Sequence, residues 1–195
     1  MNKIFSVCVY SASSTKINPA YFEAAEELGR LLAQHHLRLV NGAGKMGLMA
    51  AVADAVLAEG GQVTGIIPQF MVDQGWHHTN LTELITVDSM HVRKKMMADK
   101  SDAVIALPGG CGTLEEVMEV ITWKQLGLYL NPIVLLNING YFNPLLDMLT
   151  RAVEENFMRV QHGSIWQVAK TPQEAIDLIY STPLWDISVR KFAAI

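Results

Sequence analysis

The chain has 195 residues and a mass of 21.6 kDa, a length that suits one α/β domain. Hydrophobic residues make up 50% of it and charged residues 17%, a composition that excludes a disordered chain. The 19 acidic and 15 basic residues give a net charge of −4, so no basic surface for a nucleic-acid backbone is expected. We therefore expect a folded protein without a nucleic-acid partner, which holds any anionic ligand locally.

The cysteines and the amino-terminal segment indicate the cellular compartment. Cys8 and Cys111 lie in apolar or glycine-rich surroundings without the spacing of metal ligands, which indicates reduced thiols. The apolar run near the amino terminus is too short to span a membrane, and no convincing signal-peptide cleavage pattern follows it. These features predict a soluble, cytoplasmic protein with no membrane partner.

Short apolar runs alternate with longer segments of helical periodicity along most of the chain. This alternation is typical of βαβ units, in which helices connect parallel strands. The predicted strands are residues 4–10, 37–40, 62–67, 103–107, 133–136 and 165–168, with a short seventh at 84–87. The predicted helices are residues 19–34, 47–58, 92–100, 114–126, 144–155 and 172–179. The pattern predicts a single α/β domain with a doubly wound parallel sheet of six to seven strands.

Two segments fall outside this pattern. Residues 68–80 form the longest predicted loop inside the domain, and loops of that length are often functional. Residues 182–195 show no strong periodicity. We therefore expect the domain to cover residues 1–181 and the tail, 182–195, to pack on it or on a partner subunit.

A first glycine-rich turn, GAGKMG at residues 42–47, follows the second predicted strand and precedes a helix. Open α/β sheets bind ligands at such positions, where helix amino termini attract anions. The usual dinucleotide fingerprint instead follows the first strand and is paired with an acidic residue at the end of the next strand. Because the next strand here ends in Ile66-Ile67-Pro68, a nicotinamide dehydrogenase is disfavoured. Gly42 and Gly44 are expected to contact a nucleotide or its phosphate; the alternative is a turn that serves packing alone.

The second glycine-rich turn, LPGGCGTLEE at residues 107–116, is the stronger signal. Its three glycines let the backbone approach a ligand, and Thr113 offers a hydroxyl near the start of a helix. The turn lacks the lysine of a Walker A loop, which excludes an ATPase P-loop. Two interpretations stay open: an anion-binding turn, or a capping box in which Glu116 reaches back to the backbone of Thr113.

Arg93 and Lys94 stand at the start of a predicted helix, where the helix dipole favours acidic groups. Their placement indicates a functional role, and the alternative is a solvated basic face.

These segments resemble a known family. SMHVRKKM at 89–96 and ALPGGCGTLEEVMEVITWKQLGLY at 106–129 closely resemble the MHxRK and PGGxGTxxE signatures of the LOG family, the cytokinin riboside 5′-monophosphate phosphoribohydrolases. CVYSASS at 8–14, NGAGKMGLMA at 41–50 and LLNINGYFNPLLDML at 135–149 are similar to further family segments. The resemblance covers roughly residues 7–179.

The resemblance implies a Rossmann-like homodimer that cleaves the N-glycosidic bond of adenine-type nucleoside 5′-monophosphates. The products are the free base and ribose 5-phosphate, and neither a metal nor a redox cofactor is needed. Relatives have often been labelled possible lysine decarboxylases, but the sequence offers no recognisable lysine context for pyridoxal phosphate.

The same resemblance also implies the site residues. Arg93 and Glu116 match the catalytic pair. The substrate-binding positions are matched by Lys94, Gly110, Cys111, Gly112, Thr113, Leu114, Glu115 and Thr122. The candidate substrate-binding set is completed by turn residues of the similar segments, Gly109, Gly42, Gly44 and Ser13.

The sequence departs from the family pattern at two positions. Ala43 replaces the middle glycine of a GGG turn and adds a methyl group where close approach is needed. Gly75 stands where many plant members carry a glutamate, which leaves the preferred base open. The next residue, Trp76, offers either a stacking face for the base or a contact at a dimer interface. His77 and His78 are adjacent and cannot share one face of a regular element, so no metal site is predicted.

Cleavage of an N-glycosidic bond builds positive charge on the ribose and negative charge on the departing base. Glu116 suits the first charge, and Arg93 suits the second or the 5′-phosphate. Near a helix amino terminus, Glu116 is expected to stay ionised at pH 7. Two other functions stay open: a non-catalytic module that senses a nucleotide or carries a cofactor, and a general purine nucleotide nucleosidase without a hormone role.

Overall fold

Seven parallel strands form one sheet in the computed structural model of the protein, which describes residues 2–192. The strands are β1 Ser6–Tyr10, β2 Arg38–Asn41, β3 Val63–Pro68, β4 Glu83–Val87, β5 Ala103–Ala106, β6 Ile133–Leu136 and β7 Gln167–Ala169. The α-helices in this part of the chain are α1 Pro19–Gln34, α2 Gly47–Ala58, α3 Gln69–Asp73, α4 Met90–Asp99, α5 Cys111–Gln125, α6 Asn143–Glu154 and α7 Pro172–Ser181.

The strand order, β4-β3-β2-β1-β5-β6-β7, places β1 in the middle of the sheet. Val7 of β1 pairs with Leu39 on one side and with Ala103 on the other. The chain therefore runs outward from β1 to one edge and returns to build the other half from β5. Between β1 and β5 the connections diverge, which opens a crevice at the carboxyl ends of the strands. The predicted Rossmann-like parallel sheet is confirmed, and it includes the short seventh strand.

Two apolar clusters cover the two faces of this sheet. Val7 and Val9 of β1 point into the cluster that packs against α1, α2 and α7. Cys8 and Tyr10 point into the cluster that packs against α4, α5 and α6. The alternation follows from the strand geometry, since successive side chains face opposite sides of a sheet.

The structure differs from the predicted boundaries where capping or short helices decide them. Helix α4 begins before the predicted residue because the Ser89 hydroxyl accepts a hydrogen bond from the Val92 amide at 3.2 Å. Strand β7 is displaced from the predicted 165–168, because a 3-10 helix at Val160–Ser164 precedes it. The predicted loop 68–80 contains the five-residue helix α3.

The described part of the carboxyl-terminal tail packs on the same chain. The Trp185 amide donates a hydrogen bond to the Leu130 carbonyl at 3.0 Å. The Lys124 ammonium lies 5.3 Å from the centre of the Trp185 ring, and Arg190 donates to the Gly127 carbonyl at 3.3 Å. Residues 193–195 of the predicted tail lie outside the described residues.

Two further observations concern the compartment prediction. Cys8 and Cys111 are both free thiols, the first buried and the second exposed. None of the helices between residues 2 and 192 combines the length and the apolar character that crossing a membrane requires.

Candidate functional site

A cavity of about 450 Å³ opens at the carboxyl ends of β1, β2, β3 and β5, where the strand order reverses. This volume falls in the range of small-molecule sites. Most of the wall comes from the turn after β1, from the turn between β2 and α2, and from the start of α5. The lining residues are Ser11, Ala12, Ser13, Ser14, Gly42, Gly44, Lys45, Met46, Met49, Met71, Trp76, Arg93, Gly110, Gly112, Thr113 and Glu116.

The amino terminus of α5 forms one wall with its backbone. Gly110 is the N-cap in an extended conformation, and the helix begins at Cys111. The amides of the first helical turn have no carbonyl partner within their own helix. A Cβ atom built on Gly110 or Gly112 meets nothing within 4 Å, so a ligand can approach the backbone closely there. This wall is suited to binding an anion.

The capping-box interpretation is wrong. Because Gly110 is the N-cap, Thr113 occupies the third helical position and Glu116 the sixth. The Glu116 carboxylate turns instead to Arg93, with Oε1 at 3.4 Å from Nη1.

Arg93 is held by three elements besides its own helix, α4. Its Nε atom donates to the Ile66 carbonyl in β3 at 3.0 Å, and Nη2 donates to the Gly42 carbonyl after β2 at 3.2 Å. Its Nη1 atom faces Glu116 of α5. Only 5% of Arg93 is exposed, so the alternative of a solvated basic face is wrong.

Glu116 is buried beside this guanidinium, with 7% of the residue exposed. Burial raises the pKa of Glu116 to about 7, against the opposing effect of the positive charge on Arg93. At pH 7 Glu116 is therefore less readily ionised than its position near a helix amino terminus predicts. The helix dipole acts most strongly within the first turn, and the Glu116 carboxylate lies beyond that turn. Burial has also removed most of the water around the carboxylate. A carboxyl with this pKa is able to exchange a proton near neutral pH.

The turn after β2 approaches Arg93 too closely for any side chain at position 42. A Cβ atom on Gly42 would lie 1.8 Å from Nη2 of Arg93. Ala43 adopts a left-handed backbone with φ of 57°, and its methyl group faces Gly65 of β3. Ala43 does not line the cavity, so its methyl group leaves the site open.

Of the predicted site residues, Ser13, Gly42, Gly44, Arg93, Gly110, Gly112, Thr113 and Glu116 line the cavity. Outside its walls lie Lys94, Gly109, Cys111, Leu114, Glu115 and Thr122. Lys94 forms ion pairs with Glu115 and, at 3.2 Å, with Glu119. Thr122 is exposed, and its hydroxyl donates to the Met118 carbonyl at 2.8 Å. Lys94 itself is buried, whereas Glu115 and Thr122 are exposed on α5.

Sequence reasoning missed several lining residues. Ser11 follows β1 and is 4% exposed, and its hydroxyl has no hydrogen-bond partner among the described residues. Ser11 directly follows β1, beside the point where the connections diverge, and this position could have identified it as a candidate site residue. No feature of the sequence identifies Met46, Met49 and Met71 as site residues, because methionines are common in ordinary hydrophobic cores.

The histidine pair has a structural role in the described chain. The Nε2 atom of His78 lies 2.9 Å from Oδ1 of Asp54 on α2, and His77 forms an antiparallel bridge with Gly44. Between residues 2 and 192, no three His, Cys, Asp or Glu side chains converge as metal ligands.

Comparison with known proteins agrees with these observations. The profile of a family described as "Possible lysine decarboxylase" matches residues 49–179. A rice protein, "Probable cytokinin riboside 5′-monophosphate phosphoribohydrolase LOGL2" of Oryza sativa subsp. japonica, is 46% identical over 171 residues, or 88% of this chain and 70% of the rice protein. "Cytokinin riboside 5′-monophosphate phosphoribohydrolase LOG7" of Arabidopsis thaliana is 40% identical over 190 residues, which cover 92% of this chain and 88% of that protein.

Solved structures with the same fold are more distant in sequence. The molybdenum cofactor carrier protein of Chlamydomonas reinhardtii has a TM-score of 0.71 at 19% identity, covering 92% of this chain and 98% of that one. The molybdenum cofactor binding protein of Rippkaea orientalis has a TM-score of 0.68 at 22% identity, covering 92% and 97%. At these identities the likeness extends to the fold alone. The profile match and the plant relatives carry the assignment: the chain belongs to the LOG family, the cytokinin riboside 5′-monophosphate phosphoribohydrolases.

Proposed function

We propose that this protein hydrolyses the N-glycosidic bond of purine nucleoside 5′-monophosphates, giving the free base and ribose 5-phosphate. The observation that carries the proposal is the buried pair of Arg93 and Glu116 in a cavity walled by the open amino terminus of α5. The names of the rice and Arabidopsis relatives support an adenine-type substrate, with cytokinin monophosphates as one such class.

In this proposal the backbone amides at the start of α5 bind the 5′-phosphate. Gly110 and Gly112 leave those amides open, and the helix dipole adds to their attraction for an anion. The phosphate then anchors the nucleotide while the reaction takes place at the sugar. Binding energy from a group remote from the reacting bond is thereby used to orient that bond.

Glu116 acts at the sugar in its ionised form. As the bond between C1′ and the base nitrogen breaks, its electron pair leaves with the base and positive charge develops on the ribose, which the carboxylate stabilises. A water molecule adds to C1′, and its proton passes through Glu116 to the departing base. The pKa of about 7 suits a group that accepts and returns a proton near neutral pH.

Arg93 orients the carboxylate and supplies a fixed positive charge. Its bonds to Ile66 and Gly42 fix the guanidinium plane, so that Nη1 faces Glu116. A guanidinium carries five N–H groups; Nη1 also contacts the Met90 sulfur at 3.9 Å, which leaves one N–H of Nη2 available to the departing base. The reaction then needs no metal and no redox cofactor.

The decarboxylase description attached to the family profile does not fit the cavity. A pyridoxal phosphate enzyme needs a lysine to form a Schiff base with its cofactor. Among the described residues that line the cavity, Lys45 is the only lysine, and it is exposed in the turn before α2. The buried charged groups of its described lining are Arg93 and Glu116, which are paired with each other.

The proposal includes a homodimer in the cytoplasm. Leu126 and Leu128 at the end of α5 are large, apolar and exposed, which is typical of an interaction surface. A dimer through this surface would cover the end of α5 close to Thr122, which is exposed one turn before Leu126.

The first prediction concerns the substrate. Incubation with AMP, GMP, CMP and isopentenyladenosine 5′-monophosphate should release base from the purine nucleotides, measured by chromatography. Adenosine should show a kcat/KM about a hundredfold lower than AMP, because it lacks the charge-assisted hydrogen bonds of the phosphate. Equal turnover of adenosine and AMP would contradict the phosphate role. Nucleotide binding without release of any base would favour the sensor module.

The second prediction concerns Glu116. Glu116→Gln removes the charge but keeps the shape, so kcat for AMP should fall about a hundredfold or more with little change in melting temperature. The pKa of Glu116 is raised to about 7, so the ionised form grows as pH increases through 7. The wild-type kcat should therefore rise between pH 6 and 8, and this rise should be absent in the variant. Glu115→Gln is the control, and any loss of activity in that variant is expected in KM. A near-normal kcat in Glu116→Gln would show that the catalytic carboxylate lies elsewhere.

The third prediction tests the position of Arg93. Gly42→Ala places a methyl group where Nη2 of Arg93 lies, so the guanidinium must move and kcat should fall about tenfold or more. Gly44→Ala is the matched control for kcat, because its Cβ atom meets the movable sulfur of Met49 at 2.9 Å and not Arg93, so any loss is expected in KM. Similar kcat values for the two variants, measured with AMP, would argue against a fixed guanidinium.

The fourth prediction concerns assembly. Light scattering at micromolar concentration should return about twice the chain mass of 21.6 kDa. Leu128→Glu should lower that mass, since burying a charge at an apolar interface is costly. A wild-type mass of 21.6 kDa would rule out the dimer.

A further inference from the structure

The cavity has an apolar wall on the side away from α5. It is formed by Met71 and Trp76, which follow β3, together with Met46 and Met49. The strand order β2-β1-β5 puts two strand spacings, about 10 Å, between α5 and the turn after β2, against which the Trp76 backbone is bonded. A nucleotide that is anchored by its phosphate at α5 therefore extends its base toward the apolar wall.

Gly75 determines where Trp76 lies. Helix α3 ends in a Schellman motif, in which the Gly75 amide donates to the Val72 carbonyl at 2.8 Å and the Trp76 amide to the Met71 carbonyl at 3.1 Å. Gly75 has φ of 66°, the left-handed conformation that this motif requires at its own position. Ending the helix in this way directs the chain back toward the cavity, and both Met71 and Trp76 line it.

Further bonds fix the backbone of Trp76 against the turn before α2. Its carbonyl accepts a hydrogen bond from the Lys45 amide at 3.0 Å, and the His78 amide donates to the Ala43 carbonyl at 2.8 Å. Trp76 nevertheless remains 49% exposed. A large aromatic side chain on a fixed backbone, at the wall of a cavity and only half covered, offers a flat face to a ligand.

We propose that Trp76 is the residue on which the base of the substrate stacks, and that this contact selects purines over pyrimidines. The inference rests on the function proposed above and identifies the side chain that recognises the base. Two fused rings cover more of an indole than one ring, and stacking on an aromatic side chain contributes substantially to nucleotide binding. Gly75 carries no side chain to bond the base, so the recognition at this wall comes from the apolar face of Trp76.

Binding measurements without turnover test this role directly. In Glu116→Gln protein, calorimetric titration with AMP should give a Kd about tenfold to a hundredfold higher when Trp76 is changed to Ala. Trp76→Phe keeps a flat ring and should lose less. The Kd of ribose 5-phosphate, which lacks the base, should stay unchanged in both variants. Phe70→Ala is the matched control, because Phe70 is an exposed aromatic residue of α3 that does not line the cavity.

Selectivity gives a second measurement in protein that retains Glu116. Trp76→Ala should lower kcat/KM for AMP mainly through KM, and should bring the ratio of AMP to CMP closer to one. An unchanged Kd for AMP in Trp76→Ala would overturn the proposal, as would an equal loss for AMP and ribose 5-phosphate. A reduced mass in light scattering with an unchanged Kd for AMP would make Trp76 an interface residue instead, and would overturn it too.

Failure of the proposed hydrolysis has a different signature. In that case the wild-type protein would bind AMP and release no base, while the calorimetric difference between Trp76→Ala and Phe70→Ala would persist. The two proposals can thus fail independently.

Discussion

The guanidinium of Arg93 is the contact on which the site depends, because it connects helices α4 and α5 to the carboxyl ends of the neighbouring strands β2 and β3. Its hydrogen bonds reach the Ile66 carbonyl in β3 and the Gly42 carbonyl after β2. Its third contact, with Glu116, brings in α5. A planar group with donors in fixed directions can satisfy all three at once, which a lysine ammonium at the same place could not do with the same geometry.

This arrangement also controls the charge of Glu116. Burial favours the neutral carboxylic acid, and the neighbouring guanidinium favours the carboxylate, so that the pKa settles at about 7. Loss of the guanidinium would remove the largest effect that opposes burial, and the acid would hold its proton to higher pH. The two residues therefore act as one unit, and removing either changes the chemical state or the position of the other.

The fold could be predicted from the sequence to the extent that its signals are local. Helices α1 and α2 have the predicted limits, Pro19–Gln34 and Gly47–Ala58, because apolar periodicity and a proline or glycine at the start mark them. Helix α5 begins at Cys111, before the predicted residue 114, because consecutive glycines are typical of a loop whereas Gly110 here is the N-cap. Helix α3 has five residues and is too short to show a period.

The site was predictable in its membership but not in its contacts. The glycine-rich turns and Arg93 could be identified as candidates, yet the partners of Arg93 lie 27 and 51 residues away in sequence. The raised pKa of Glu116 depends on burial by elements distant in the chain, which no local pattern reports. Trp76 can be recognised in the sequence as an aromatic residue of a predicted loop. Its position at the cavity depends on the hydrogen bonds that end α3, which the sequence does not show.

The hydroxyl of Ser11 has a consequence for engineering this protein. It is buried beside the cavity, and none of residues 2–192 offers it a hydrogen bond, whereas the methyl group of an alanine would need none. A redesign that ranks substitutions by the stability of the unliganded chain would replace Ser11 with alanine and count the change as an improvement. The same substitution would remove a polar group from the wall of the cavity, so that selection for heat resistance and selection for ligand binding oppose each other at this one position.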